Sequence, residues 1–317
     1  MQAMLQKTLQ GVALLLGFVF HSAWAATFPL TPGTDLVGSV QEVAAEPQDT
    51  LLDIARRHDL GYDEIIAANP KVDPWLPGAG TRVVLPTQFI LPEGPRRGIV
   101  VNLAAMRLFY FPVPAAGEVP EVVTFPIGIG RMGWNTPLVS TRIASKVADP
   151  VWHVPPSIQV EHAKEGEVLP ESVPAGPDNP LGEFALMLDL PGYLIHGTNK
   201  PYGVGRRVSH GCIRLYPEDI ADLFRQVSTG LAVRFVDQPD LAGWLDGRLY
   251  LQAHAPLAGD VGSAANLTTM VEAVLAQAHR VPGTAVDWDL ALKLAREAQS
   301  LPVPVSVQTV SGQAPAH

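Results

Sequence analysis

The segment Val208-Ser209-His210-Gly211-Cys212-Ile213-Arg214 places the only cysteine of this 317-residue chain beside a histidine and between arginines. A thiol with an ordinary pKa near ~8.5 becomes a nucleophile at neutral pH when a paired imidazole or neighbouring cations favour the thiolate. Both kinds of neighbour are present. Lys200, Arg206, Arg207 and Arg214 lie between His196 and Pro217 with no Asp or Glu among them, although the chain carries a net charge of -9. This local excess of positive charge is expected to favour the thiolate and to bind carboxylates of a substrate.

Two histidines are candidates for the base. His210 is two residues from Cys212, and His196 lies sixteen residues upstream at the end of the apolar run Tyr193-Leu194-Ile195. A base must aim its imidazole at the sulfur within hydrogen-bond distance, and the assignment favoured is His196, with His210 turned elsewhere. His210 then positions substrate or donates to a developing oxyanion. Gly211 gives the backbone freedom to point amides, including that of Cys212, at the same oxyanion. The rival chemistry is a zinc site made of His196, His210 and Cys212. One thiol and no HExxH pattern speak against it, and a bound metal would block the nucleophile, so no metal or cofactor is expected.

His196-Gly197-Thr198, a spacer, and then Ser209-His210-Gly211-Cys212-Ile213-Arg214 closely resemble the catalytic signature of the L,D-transpeptidase (YkuD-type) family, over about residues 97–237. The resemblance implies a β-rich domain with Cys212 as nucleophile, His196 as base, the Gly197 carbonyl orienting that base, and His210 and Gly211 completing the site. Ser209, Thr198, Arg206, Arg207 and Arg214 are the candidate substrate-binding residues. The implied donor is a peptidoglycan tetrapeptide stem, attacked at the carbonyl of its third residue with release of D-alanine. An amine then resolves the thioester, from a second stem (a 3-3 cross-link) or from a lysine of an outer-membrane lipoprotein. With water as acceptor the same cysteine would make a carboxypeptidase, and a non-catalytic wall-binding protein is the reading from another class.

These residues need a scaffold, and the rest of the chain supplies its outline. Lys7, the apolar run Gly11 to Phe20 and Ala23-Trp24-Ala25 read as a cleaved signal peptide over residues 1–25. That apolar run is about half of the ~20 residues that span a bilayer. The reading is therefore an exported, periplasmic protein, and one cysteine leaves no intramolecular disulfide. The acidic balance argues against nucleic acid as a partner.

Residues 37–91 read as strand, helix, helix, strand. Asp49-Thr50-Leu51, Ile54-Ala55, Asn69-Pro70 and Leu85-Pro86 resemble a LysM module, a family that binds cell-wall glycan, with a departure at Gln48. From Gly98 the texture is strands: Ile99–Asn102 and Arg107–Phe111 as a hairpin, then Val122–Ile127. Gly128-Ile129-Gly130 lacks the third glycine and the following helix of a nucleotide loop. Residues 150–180, rich in Pro and Gly, read as an ordered loop or lid. Pro217 opens a helix with Ile220, Leu223, Phe224 and Val227 on one face, and Ala232–Val236 is a strand.

After Pro239 two amphipathic helices are expected, near Leu267–Ala278 and Asp287–Ala298, then a tail without chemistry. The expected class is α+β: a small βααβ LysM-like domain, a β-rich catalytic domain (97–237; a mixed β-sandwich with few helices) and a partly helical C-terminal region (238–317) of unassigned role.

Overall fold

The computed structural model of the chain describes residues 26–257 and 267–307. The signal-peptide reading (1–25) and the last ten residues of the tail fall outside them. The architecture is β-rich with six helices among the described residues: α1 Leu51–Arg57, α2 Tyr62–Ala68, α3 Pro156–Lys164, α4 Pro217–Gln226, α5 Thr268–Ala278 and α6 Trp288–Glu297. None is long and apolar enough to cross a membrane.

The largest sheet has nine strands in the spatial order Ala26–Pro29, Glu121–Pro126, Arg107–Phe111, Gly98–Asn102, Ala232–Val236, Ser140–Ala148, Phe184–Leu188, Leu194–His196 and Ile213–Arg214. Two neighbouring pairs are parallel, Gly98–Asn102 with Ala232–Val236 and Leu194–His196 with Ile213–Arg214. The remaining sheets are ribbons of two or three strands.

Alternation along these strands sorts side chains to two faces. Ile99, Val101, Leu108, Tyr110, Val123, Phe125, Val233 and Phe235 share one core with Ile220 and Leu223 of α4. Val100, Phe109, Phe111 and Val122 leave the other face and pack with Leu51, Ile54, Leu60 and Ile65. The small N-terminal unit therefore closes the second face of the sheet and shares its core.

That unit is a βααβ arrangement in which Gln41–Ala44 and Arg82–Leu85 pair antiparallel around α1 and α2. Thr50 caps α1 in a capping box with Asp53, which satisfies first-turn amides and sets where the helix begins. Asn69 then ties α2 to the closing strand, donating to Val84 O and accepting from Val84 N, each at 2.8 Å.

Two regions differ from the sequence reading. Residues 150–180 are not a bare loop: they hold α3 and a ribbon pairing Trp152–His153 with Ser172–Val173. Only Ile158 of α3 is buried, so the helix carries no apolar stripe to read. The C-terminal region holds the two expected helices and also a hairpin, Asp240–Leu245 with Arg248–Ala253, joined by Val303–Pro304. Its turn is Asp246-Gly247, both at positive φ (48° and 72°), the backbone of a tight hairpin turn. Leu241 to Trp244 are all buried, so the alternation that marks a half-buried strand is absent there.

Candidate active site

The strands Leu194–His196 and Ile213–Arg214 end the nine-stranded sheet, in the parallel register Ile195↔Ile213 and His196↔Arg214. Ile195 and Ile213 point into the core. Alternation sends His196 and Arg214 to the opposite face, and Cys212, one step before Ile213, to the same side as Arg214. One parallel register thus sets the strand ending in His196 beside the strand that follows Cys212.

His196 is 3% exposed, and its Nδ1 lies 2.6 Å from the carbonyl oxygen of Gly197. That contact fixes Nδ1 as the protonated nitrogen and leaves Nε2 as the basic one. Burial, then the nearby Arg214 guanidinium, hold His196 down to about 3, so the imidazole is neutral at neutral pH. Gly197 is closely packed, since a Cβ there would lie 3.0 Å from Cγ2 of Ile220 in α4.

Cys212 is half-buried, and its Sγ lies 3.6 Å from the carbonyl oxygen of Gly192. Burial pushes the thiol above its ordinary value, against the opposing pull of the Leu194 amide and Arg214. This corrects the expectation of a cation-stabilised thiolate: desolvation outweighs the charges, and only Arg214 of the four cations acts on the sulfur. The resting pair is a neutral thiol and a neutral imidazole.

The loop before Cys212 is held by Ser209, whose Oγ accepts from Gly211 N (3.2 Å) and donates to Cys212 O (2.6 Å). Thr136 donates to Gly211 O at 2.7 Å. In extended backbone, residues two apart share a face, so spacing alone cannot send His210 and Cys212 apart. Gly211 does so, with a φ of 103° that breaks the strand between them. His210 lies in a separate polar group: its Nε2 is 3.1 Å from Arg131 Nη2 and 3.1 Å from Glu161 Oε2, and its ring meets the edge of Trp134. Burial, then Arg131, Arg214 and His162, hold it down to about 4, so the ring is neutral at neutral pH and its contact with Glu161 is not an ion pair.

The remaining sequence candidates divide. Arg214 is partly buried beside Cys212 and His196, and its Nε has no partner. Arg207 Nε donates to Gly130 O at 3.4 Å. Arg206 stacks on the Tyr62 ring of α2, 4.7 Å from its centroid, and so joins the βααβ unit rather than the thiol. Thr198 is buried and accepts from Lys200 N at 3.0 Å, a turn contact. Sequence reasoning passed over Arg131, Trp134, Thr136 and Glu161. The first three sit in Arg131-Met132-Gly133-Trp134-Asn135-Thr136, a polar, aromatic loop after a short strand, which is a legible signal; Glu161 had none. No three His, Cys, Asp or Glu side chains gather around a possible metal position among the described residues.

Residues 96–235 match the family model described as the L,D-transpeptidase catalytic domain. The chain is 42% identical over 256 residues to the probable L,D-transpeptidase YbiS of Escherichia coli strain K12, covering 79% of this chain and 82% of that protein. The chain belongs to the L,D-transpeptidase family. Two more relatives in the same strain, named as the probable L,D-transpeptidases ErfK/SrfK and YcfS, are 43% and 40% identical; the first match covers 76% of this chain and 77% of that protein, the second 74% of each.

Proposed function

We propose that Cys212 is the nucleophile of a peptidoglycan L,D-transpeptidase and His196 its general base. The observation that carries this reading is the His196 Nδ1–Gly197 O hydrogen bond on the strand in parallel register with the one that follows Cys212. Because thiol and imidazole are both neutral at rest, proton transfer to His196 accompanies attack rather than preceding it. Sulfur bonds to the carbonyl carbon of the third stem residue, its proton passes to His196, and the amide bond to D-alanine breaks as its nitrogen takes that proton. An amine then attacks the thioester, loses its proton to His196, and restores the thiol with a new amide.

The amine belongs to a second stem or to a lipoprotein lysine; hydrolysis is the competing fate. The Cys212 amide faces the oxyanion in this reading, while Arg214, Arg207 and His210 meet substrate carboxylates. Arg206 and Thr198 serve structure. Residues 37–91 act as a LysM-like module that holds glycan, and cleavage of residues 1–25 delivers the enzyme to the periplasm, where its substrate is found.

The test incubates the processed protein with a defined tetrapeptide stem, with and without a lysine-bearing acceptor peptide, and identifies products by mass. Loss of D-alanine with amide formation to the acceptor supports the reading. Products that persist in Cys212→Ala overturn it.

A further inference from the structure

Between the βααβ unit and the large sheet lies a buried charge imbalance. Arg107 is 1% exposed; its Nε and Nη2 donate to the Glu64 carboxylate at 2.9 and 2.8 Å, Nη1 donates to Thr124 Oγ1, and Nη2 also reaches the backbone carbonyl of Asp59. That guanidinium is thereby matched by Glu64. Beside it, the carboxyl groups of Asp59 and Asp219 meet each other. Asp219 is 4% exposed, and neither Asp59 Oδ1 nor Asp219 Oδ2 has a hydrogen-bond partner. Among the described residues no cation forms a salt bridge with either carboxylate. Arg56, the other arginine near Asp219, is held bidentate by Glu218. Two buried carboxyl groups thus lack an ion-pair partner of their own, an arrangement that is unfavourable unless a proton or cation completes it.

One donor already points there. The backbone nitrogen of Ala26 donates to Asp59 Oδ2 at 3.0 Å. Ala26 is fixed by the edge strand Ala26–Pro29, where it lies opposite Thr124. Asp59 is held in the left-handed region, φ 55°, which few non-glycine residues occupy. Immediately before Ala26 stands Ala23-Trp24-Ala25, the small-x-small pattern of a signal-peptidase site.

We propose that Asp59 and Asp219 form a buried ammonium-binding site whose ligand is the α-amino group of Ala26, created by cleavage after Ala25. Water adds across the Ala25–Ala26 amide; its oxygen stays on Ala25 as carboxylate, and the Ala26 nitrogen takes up protons to become an ammonium. The same nitrogen, already placed, gains a full charge and three donors in place of one. Without that charge, burial raises Asp59 to about 7 and Asp219 well above the ordinary carboxylate range, so the pair retains a proton. The consequence reaches the active site through α4. Asp219 lies in its first turn, Tyr216 at its start donates to Leu60 O at 3.1 Å, and Ile220 packs against Gly197, whose carbonyl meets His196. Removal of the leader therefore tightens the helix beneath the base.

The inference rests on the cleavage reading, and the two are tested separately. The N-terminal mass of the exported chain decides the first: a start at any residue but Ala26 overturns the proposal. The second test compares the processed chain with the same chain carrying one added glycine before Ala26. The processed chain is expected to melt several degrees higher, and Asp59→Asn to abolish the difference. In wild type, which needs no variant to fold, the 15N-labelled α-amine should titrate at least about one unit above its usual ~7.7–8.0. Equal melting of the two chains, or an α-amine at its usual value, overturns the ion pair.

Discussion

Glu161 of α3 and His210 of the cysteine loop lie 3.1 Å apart through Oε2 and Nε2, and Glu161 also pairs with Arg131. A segment that reads as a loop therefore reaches the cysteine loop through one carboxylate. If α3 restricts water around the thioester, weakening this tie raises hydrolysis relative to amide formation. Glu161→Gln keeps a polar group of the same size and should lower kcat/KM roughly tenfold, the value of about one charge-assisted hydrogen bond. The ratio of hydrolysed to cross-linked product, at fixed acceptor concentration, should rise. An unchanged ratio places acceptor selectivity elsewhere.

Cys212→Ala should abolish acyl transfer and leave melting nearly unchanged, since the side chain is only half-buried and its contact with Gly192 O, at 3.6 Å, is weak. His196→Ala should lower kcat by about 10²–10⁴, the usual contribution of a general base. His58→Ala is the matched control. His162 is not, because its ring centroid lies 6.3 Å from that of His210.

Because burial raises the Cys212 thiol, alkylation by iodoacetamide should be slow at neutral pH and rise through a midpoint above the ordinary thiol value. Arg214→Gln removes the one arginine that lowers it and should move the midpoint higher still. A midpoint below ~8.5 would contradict the balance of burial over charge.

His196, His210 and His254 have folded pKa values of about 3, 4 and 4, below the unfolded value near ~6.5. The unfolded chain therefore binds protons first, and stability present above pH ~6.5 is lost as pH falls toward those values. Asp59, raised to about 7, acts in the opposite sense over part of this window. The clean measurement is thus a difference: His254→Gln, at a buried ring bonded to Ser300, should flatten the acid limb of denaturation free energy by up to about 1.4 kcal/mol per pH unit. Parallel limbs for both proteins would refute a buried neutral His254.

Gly211→Ala forces a side chain onto a φ of 103°, with its Cβ 3.1 Å from Cε1 of Tyr193. A cost of about 1–3 kcal/mol follows from the backbone alone. Since the turn aims the Cys212 amide, kcat should fall more than stability does. Urea denaturation beside single-turnover acylation separates the two effects.

The sequence by itself determined the chemistry and most local elements. One cysteine, two upstream histidines and a run of cations define a candidate nucleophile and its candidates for base, because these are properties of residue types. The hairpin Gly98–Phe111, α1, α2, α4 and the strand Ala232–Val236 were legible because each carries its own periodicity, cap or turn. Elements lacking such a signature were not: α3 has one buried residue, and the strand Asp240–Leu245 is buried on both faces, although Asp246-Gly247 announced its turn.

Only the tertiary structure decided which charges act on which groups. Of the four cations near Cys212 in sequence, Arg214 is the one that bears on the thiol, while Arg206 turns to Tyr62 and Arg207 to Gly130. Whether a thiol is ionised depends on desolvation against charge at that position, and burial is a property of packing that residue order does not carry. The same holds for Glu161 and for Asp59 with Asp219. Each is an ordinary acidic residue in the sequence, given a specific partner by contacts across 49 and 160 positions of chain.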